Sequence, residues 1–380
     1  MSNRSSLIST VDAWIVRSGL PAIDVGGGIT APPVPVSVLV RITSSDGCEG
    51  FGDSWVQQVD ARILHSAIVH SLTPMLLGED SDQIARLWHK IWSVARHYGL
   101  HPALSAVDVA LWDLKARRLG TPVSQLLGGV LRDSVEGYLS LPWHLAEDER
   151  VQLVRDARAR GFRGIKIVIG HGAEVDVRSI EVVQEAVPEI LVAVDANGAY
   201  DTIGAIRVGT ALDSMGVRWF EEPVASTDLS GLAAVRSRIR TPVSGFEWEA
   251  SVYALRNYLA AEALSIYQPS IDKCGGITQG HRISNVLDAW GIPFIPHSAG
   301  PPLGFAAALH LAASAPTGGV MEFIAFERNP TDTGRFPMGQ HLIDPTLLDA
   351  DTNGMIHVPT GPGLGVDVDM ARVNDLAVSP

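Results

Sequence analysis

Seven polar or ionisable residues recur along the C-terminal part of this 380-residue chain at nearly constant spacing. They are Lys166, Asp195, Glu221, Glu247, Ser270, His297 and Glu322, set 23 to 29 residues apart, and each lies in or just after a short apolar run. Isolated ionisable residues at strand ends are commonplace. A periodic series is hard to explain by stability alone, because clustered carboxylates repel one another. Asp195, Glu221 and Glu247 are the core of the series. Brought within a few ångströms, they raise each other's pKa unless a cation neutralises them. All-oxygen ligation without cysteine suits a hard divalent ion, Mg²⁺ first and Mn²⁺ second. The competing reading, three separate carboxylates capping loops or pairing with Arg, leaves the equal spacing unexplained.

The elements that must position these residues are eight apolar runs: 138–141, 165–169, 191–194, 217–220, 243–246, 264–267, 293–295 and 320–323. Helix-length segments separate them, which predicts a parallel sheet with crossover helices. Eight is the number that closes a barrel, and a barrel turns all its strand C-termini to one face, so the polar residues converge there. An open doubly wound sheet is the alternative.

The N-terminal part has a different texture. Residues 34–42 are β-branched and strand-like, 45–47 form a turn, and a second strand lies around Gly50–Asp53. Residues 81–96 carry Ile84, Leu87, Trp88, Ile91 and Trp92 on one helical face. A second helix spans 102–118, with Pro102 at its start and Lys115, Arg117 and Arg118 in its last turn. It is apolar on most sides and is expected between domains. Gly26 to Pro35 reads as a mobile loop, and its three successive glycines lack the spacing and following helix of a phosphate-binding loop.

Composition limits the function. Hydrophobic residues make up 46% and charged residues 19%, a globular balance. With 29 basic and 42 acidic residues the net charge is −13, which disfavours nucleic acid as a partner. Two cysteines, Cys48 and Cys274, are too few for a disulfide framework or a cysteine-based zinc site. No signal-peptide apolar region and no membrane-length apolar stretch are evident, so a cytoplasmic location is expected.

Several segments resemble the enolase superfamily, in its mandelate racemase/muconate lactonizing enzyme-like branch. They are Val194-Asp195-Ala196-Asn197, Trp219-Phe220-Glu221-Glu222-Pro223, Glu247, Gln268-Pro269, and Lys273-Cys274-Gly275-Gly276-Ile277-Thr278. Ala106–Asp113 and Pro362-Gly363-Leu364-Gly365 add to them. The resemblance implies a (β/α)₈ TIM-like barrel over 131–350. An α+β capping domain would come from 1–130 together with the C-terminal segment, about 350–380. Loops near Ile23–Ala31 and Gly52–Val59 would close over a small carboxylate substrate, and a homo-oligomer is the expected assembly. Asp195, Glu221 and Glu247 would hold Mg²⁺, which stabilises the enolate left when the α-proton is removed.

Two departures from the branch shape the expected reaction. Its second strand usually carries Lys-x-Lys, with the second Lys a base; here Lys166 is followed two residues on by Val168. Lys166 faces the site as an electrostatic partner or a displaced base, its ammonium form disfavoured by a neighbouring metal. His297 matches the opposite base, but its usual Asp partner is replaced by Ser270, with Asp272 a substitute two residues on. With less support for the imidazolium, the basic form of His297 is expected to be favoured. Glu322 matches a carboxyl that donates a hydrogen bond to the substrate carboxylate, a role that needs a raised pKa. Asn197, Ser270, Asp272 and Lys273 are the candidate substrate-binding residues. One His can remove the α-proton and protonate a β-hydroxyl in a syn elimination, so dehydration of an acid sugar is the favoured activity. Racemisation or epimerisation by Lys166 and His297, on a 2-hydroxy or amino acid derivative, is the alternative, and a metal-binding barrel without turnover is a third reading.

Overall fold

A computed structural model describes residues 6–17, 36–56, 60–141, 145–298, 300–324 and 342–379. Strands β1 (Ile8–Arg17), β2 (Val36–Ser44) and β3 (Glu49–Val56) form an antiparallel meander. The C-terminal strand β12 (Ala377–Val378) adds to the outer edge of β1, so the chain ends tie together in one four-stranded sheet. Alternation sorts the side chains of β2. Val38, Val40 and Ile42 pack with the helices, whereas Leu39 belongs to the larger core shared with the barrel. The expected turn closes the β2–β3 hairpin, with Gly47 at φ 81°.

The two expected helices are present as Ile84–Tyr98 and His101–Arg118. The first buries the predicted face and ends at Gly99 in the left-handed conformation. The second is buried from Ala103 to Leu111 and lies flush on β3. Gly52 permits this approach, since a Cβ there would sit 2.2 Å from the Ala106 carbonyl oxygen.

The barrel strands are β4 (Ser134–Ser140), β5 (Gly164–Val168), β6 (Leu191–Asp195), β7 (Phe220–Glu221), β8 (Val243–Gly245), β9 (Ile266–Tyr267) and β10 (Val320–Ile324). They run parallel in that order, and β10 returns to pair with β4. The seventh predicted run is not a continuous strand. It joins through single parallel bridges, Tyr267 to Phe294 and Ser270 to His297. Strand β11 (Met355–His357) pairs antiparallel with the first half of β4, below the residues that pair with β5.

Inside the barrel, Tyr138, Ala193, Trp219, Ile266 and Ile295 form one apolar layer. Two residues further along the same strands come Ser140, Asp195, Glu221, Gln268 and His297, and a period of two puts these on the same inward side. An apolar plug thus lies beneath a polar layer at the strand C-termini, the usual place for a barrel's chemistry.

Two loop expectations change. Gly52–Val56 belongs to β3 rather than to a loop, and 57–59 lie outside the described residues. Gly26–Pro35 and Ile23–Ala31 lie outside them as well. No helix among the described residues is long and apolar enough to cross a membrane.

Candidate active site

The polar layer converges as the spacing requires, but its pairing differs from expectation. Lys166 stands at the centre. Its Nζ lies 3.2 Å from Asp195 Oδ2, 3.0 Å from Glu221 Oε1 and 2.9 Å from Glu322 Oε1. Burial alone would lower its pKa, but Glu221, Glu322 and Asp195 outweigh burial and hold it well above the usual lysine range. The expectation of an ammonium form disfavoured by a neighbouring metal concerns the metal-bound site; without the ion, the carboxylates favour the ammonium. In this arrangement Lys166 is a pinned cation.

Glu221 is oriented by Gln268 Nε2, which donates to Oε2 at 2.9 Å, and by the Trp219 indole at 3.3 Å. Burial drives its carboxyl up to about 8 against the pull of Lys166. Asp195 Oδ1 accepts the backbone N–H of Asn197 at 2.9 Å, and burial raises its pKa as well. Glu247 turns instead to His297, with Oε2 3.0 Å from Nε2. That contact overcomes burial and holds Glu247 well below the usual carboxylate range.

The imidazole responds in kind. Burial opposes charging of His297, but Glu247 and Glu322, the latter 3.7 Å from Nε2, raise its pKa. Where a basic His297 was expected, Glu247 at Nε2 favours the charged ring in this metal-free arrangement, while Nδ1 faces Ser270. Glu322 is corrected too. Burial is overcome by Lys166 and His297, with a 3.1 Å bond from the Ser298 N–H, and its pKa falls rather than rises. It stands here as a hydrogen-bond acceptor.

Among the described residues no three His, Cys, Asp or Glu groups are arranged to hold a metal ion as they stand. Asp195, Glu221 and Glu247 are here engaged by basic groups. Lys166 bridges the first two, and Glu247 is paired with His297. The donor chemistry nevertheless fits a hard cation. Asp195, Glu221, Glu222, Glu247 and Glu322 are all buried, in a cluster whose basic neighbours are Lys166, Lys273 and His297. Glu222 Oε1 is buried without a hydrogen-bond partner among the described residues. Burial, followed by Glu247, Asp195 and Glu221, raises its pKa well above normal.

The remaining candidates border this cluster. Ser270 and Asp272 are buried behind His297, with Ser270 Oγ 3.1 Å from Nδ1. Asn197 is exposed at φ 46°, beside Asp195. Lys273 Nζ sits over the Trp248 ring at 4.1 Å and 5.7 Å from that of Trp55. Sequence reasoning did not assign site roles to Trp219, Gln268, Glu222, Trp55 or Trp248. For Trp219 and Gln268 the signal was present: the former is two residues before Glu221, and the latter two after the inward-facing Ile266. Trp248, 47% exposed, follows Glu247 directly; an exposed Trp beside a buried carboxylate marks a mouth.

Comparison with known proteins agrees along most of the chain. Residues 149–372 match the family described as Enolase C-terminal domain-like. Residues 31–128 match Mandelate racemase / muconate lactonizing enzyme, N-terminal domain. D-galactarolactone cycloisomerase of Agrobacterium fabrum is 32% identical over 348 residues, covering 87% of this chain and 88% of that protein. Arabinonate dehydratase of Saccharolobus solfataricus is 29% identical, with 90% of each chain covered. The crystal structure of a racemase from Streptomyces coelicolor A3(2) with bound magnesium superposes at a TM-score of 0.86. It is 26% identical, and the match covers 98% of this chain and 100% of that one.

Proposed function

The chain belongs to the enolase superfamily, in its mandelate racemase/muconate lactonizing enzyme-like branch, and from that premise we propose that it is a Mg²⁺-dependent acid-sugar dehydratase. The observation that carries this reading is the division of labour in the polar layer. Lys166 is pinned as a cation by three carboxylates, and His297 faces the same cluster as the group able to move a proton. Asp195, Glu221 and Glu247 would hold the divalent ion, Mg²⁺ or Mn²⁺. When bound, the ion supplies stabilisation of the negative charge that develops on the substrate carboxylate.

The chain's own residues account for the rest. Lys166 adds positive charge beside the site of the developing enolate. Release of Glu247 from His297 frees Nε2 to accept the α-proton. The Cα–H electron pair becomes the Cα=Cβ bond, the Cβ–O bond breaks, and His297 returns its proton to the departing hydroxyl, which leaves as water. The resulting enol tautomerises to a 2-keto-3-deoxy acid. Asn197 and Lys273 would bind the polyhydroxy tail. Racemisation needs a second base on the other face, and Val168 stands where the branch carries one. The A. fabrum relative supports a second reading, in which the β-leaving group is a ring oxygen of a cyclic acid sugar and the same α-proton abstraction opens the ring.

The experiment is a screen of aldonic and aldaric acids and their lactones with Mg²⁺, reading formation of a 2-keto acid. A keto product with release of water supports dehydration. A keto product from a lactone alone supports ring opening. α-Deuterium incorporation without elimination would overturn both in favour of epimerisation. No turnover on any member would favour a binding barrel.

A further inference from the structure

A hydrogen-bonded path leaves His297 on the side away from the acid cluster. Nδ1 lies 3.1 Å from Ser270 Oγ, and the Ser270 hydroxyl donates to Asp272 Oδ1. All three residues are buried. The proton inventory fixes the direction. A serine hydroxyl has one hydrogen, and here the carboxylate of Asp272 takes it. With its hydrogen given to Asp272, Ser270 Oγ is left as an acceptor for a proton on Nδ1, the arrangement that turns Nε2 to the acid cluster.

We propose that Ser270 and Asp272 act as one positioning unit, a His297–Ser270–Asp272 relay that does through a hydroxyl what a carboxylate directly behind the imidazole would do. The inference rests on the reading of His297 as the proton-transfer residue.

The surroundings are shaped for this unit. The turn that carries both residues is set by the N–H groups of Lys273 and Cys274, which donate to the Ser270 carbonyl at 3.0 and 2.8 Å. Ser54, from the N-terminal sheet, donates its hydroxyl to the Asp272 carbonyl at 2.8 Å. The segment after His297 is trimmed to make room, since a Cβ at Gly300 would fall 2.7 Å from Asp272 Oδ2. One at Gly304 would fall 3.1 Å from the Asp272 Cβ. Asp272 Oδ2 is buried with no hydrogen-bond partner among the described residues. A buried carboxylate held on one oxygen is costly, and structural need alone does not explain it. The Ser270 hydroxyl on Oδ1 is what links this carboxyl to the ring.

The test combines kinetics with a spectroscopic readout on the full-length protein. ¹⁵N-histidine NMR of the metal-free protein, with His297 assigned from His297→Asn, reports which ring nitrogen holds a proton. The relay keeps Nδ1 protonated whether or not Nε2 is. In Ser270→Ala and in Asp272→Asn that protection is weakened, and the neutral ring divides between tautomers. On a substrate from the screen each variant lowers kcat by about 10- to 100-fold with KM nearly unchanged, the usual effect of losing an orienting partner. The double variant is no worse than either single one, as for residues that act as a unit. Ser270→Asp, placed in the Asp272→Asn background, puts a carboxylate next to Nδ1 and recovers most of kcat. Nδ1 found unprotonated in the unmodified protein, or Ser270→Ala with normal kcat and an unchanged ring spectrum, overturns the relay. The NMR result does not depend on turnover. If His297 is not the proton-transfer residue, His297→Asn keeps α-proton exchange while the ring spectrum still reads the relay.

Discussion

Replacing Lys166 with Met removes the one cation that contacts Asp195, Glu221 and Glu322 together. The Lys166 side chain is 3% exposed and its partners are 7%, 0% and 1% exposed, so water cannot take over the ammonium's role without opening the barrel mouth. Breaking a buried ion-pair network from one side costs about 3–5 kcal/mol. At about 2.1 cal/mol/K per residue, roughly 0.8 kcal/mol/K for a chain of this length, melting should fall by roughly 4–6 °C in EDTA. The same change should favour a divalent cation, because a like charge has been removed from beside Asp195 and Glu221. Two unit charges about 4 Å apart interact by about 4 kcal/mol at an effective dielectric near 20. Recovering even about a third of that would tighten Mg²⁺ binding about tenfold. Thermal and guanidinium unfolding with and without Mg²⁺, alongside calorimetric titration of Mg²⁺, measures both effects. The variant should lose stability in EDTA and regain more of it than the unmodified protein as Mg²⁺ is added. A Lys166→Met protein as stable as the original in EDTA would refute the claim that Lys166 neutralises the cluster. Equal Mg²⁺ affinities would refute the claim that it competes for the ion's place.

Asp108 on the helix His101–Arg118 accepts the Thr278 N–H at 2.8 Å and its hydroxyl at 2.6 Å, and burial pushes its pKa up to about 7. A carboxyl with a folded pKa above its unfolded one binds more protons when folded, so it costs stability as pH rises from about 4 to 7. Asp108→Asn should therefore gain on the unmodified protein by a few kcal/mol between pH 4.5 and pH 8 (about 1.4 kcal/mol per pKa unit), and pH-dependent unfolding curves that stay parallel would count against it. Gly52→Ala places a Cβ 2.2 Å from the Ala106 carbonyl oxygen and 2.7 Å from the Ala110 nitrogen, both backbone atoms that cannot step aside. It should cost at least about 3 kcal/mol in denaturant unfolding, at or above the usual overpacking penalty, and a variant of normal stability would show that the sheet and helix do not pack as tightly as described.

The barrel was legible because two signals coincided. Apolar runs spaced by one βα unit set the strands, and polar residues at their ends set the face, so seven of the eight runs appear as parallel strands. The seventh was blurred because Pro293 and Pro296 interrupt it, and two bridges replace a ladder. Part of the polar layer was legible too, Asp195, Glu221 and His297 among it, since a period of two fixes which side chains share a face, but Ser140 and Gln268 were not singled out. What the sequence could not reveal was who pairs with whom. Lys166 engages three carboxylates that lie 29 to 156 positions away, and that choice decides the charge state of Glu322 and His297. The contacts of the N-terminal sheet with the barrel were equally hidden. Asp53 caps the helix Pro302–Ser314 through the N–H groups of Leu303 and Gly304, at 3.0 and 2.7 Å, some 250 residues downstream. Asp272 as a partner of His297 was half visible: its position was noted, but the hydroxyl that links it to the ring needs the folded turn.

The most direct test of the account is α-proton exchange in D₂O. An acid sugar that the enzyme turns over is incubated with Mg²⁺ and either the unmodified protein or His297→Asn, and loss of the α-proton is followed by ¹H NMR while Mg²⁺ binding is titrated in parallel. The account predicts that His297→Asn binds Mg²⁺ about as well as the original and loses exchange by about 10²- to 10⁴-fold, the scale of a positioned general base. Exchange at the original rate in His297→Asn would contradict it and move the proton transfer to Lys166 or to another group.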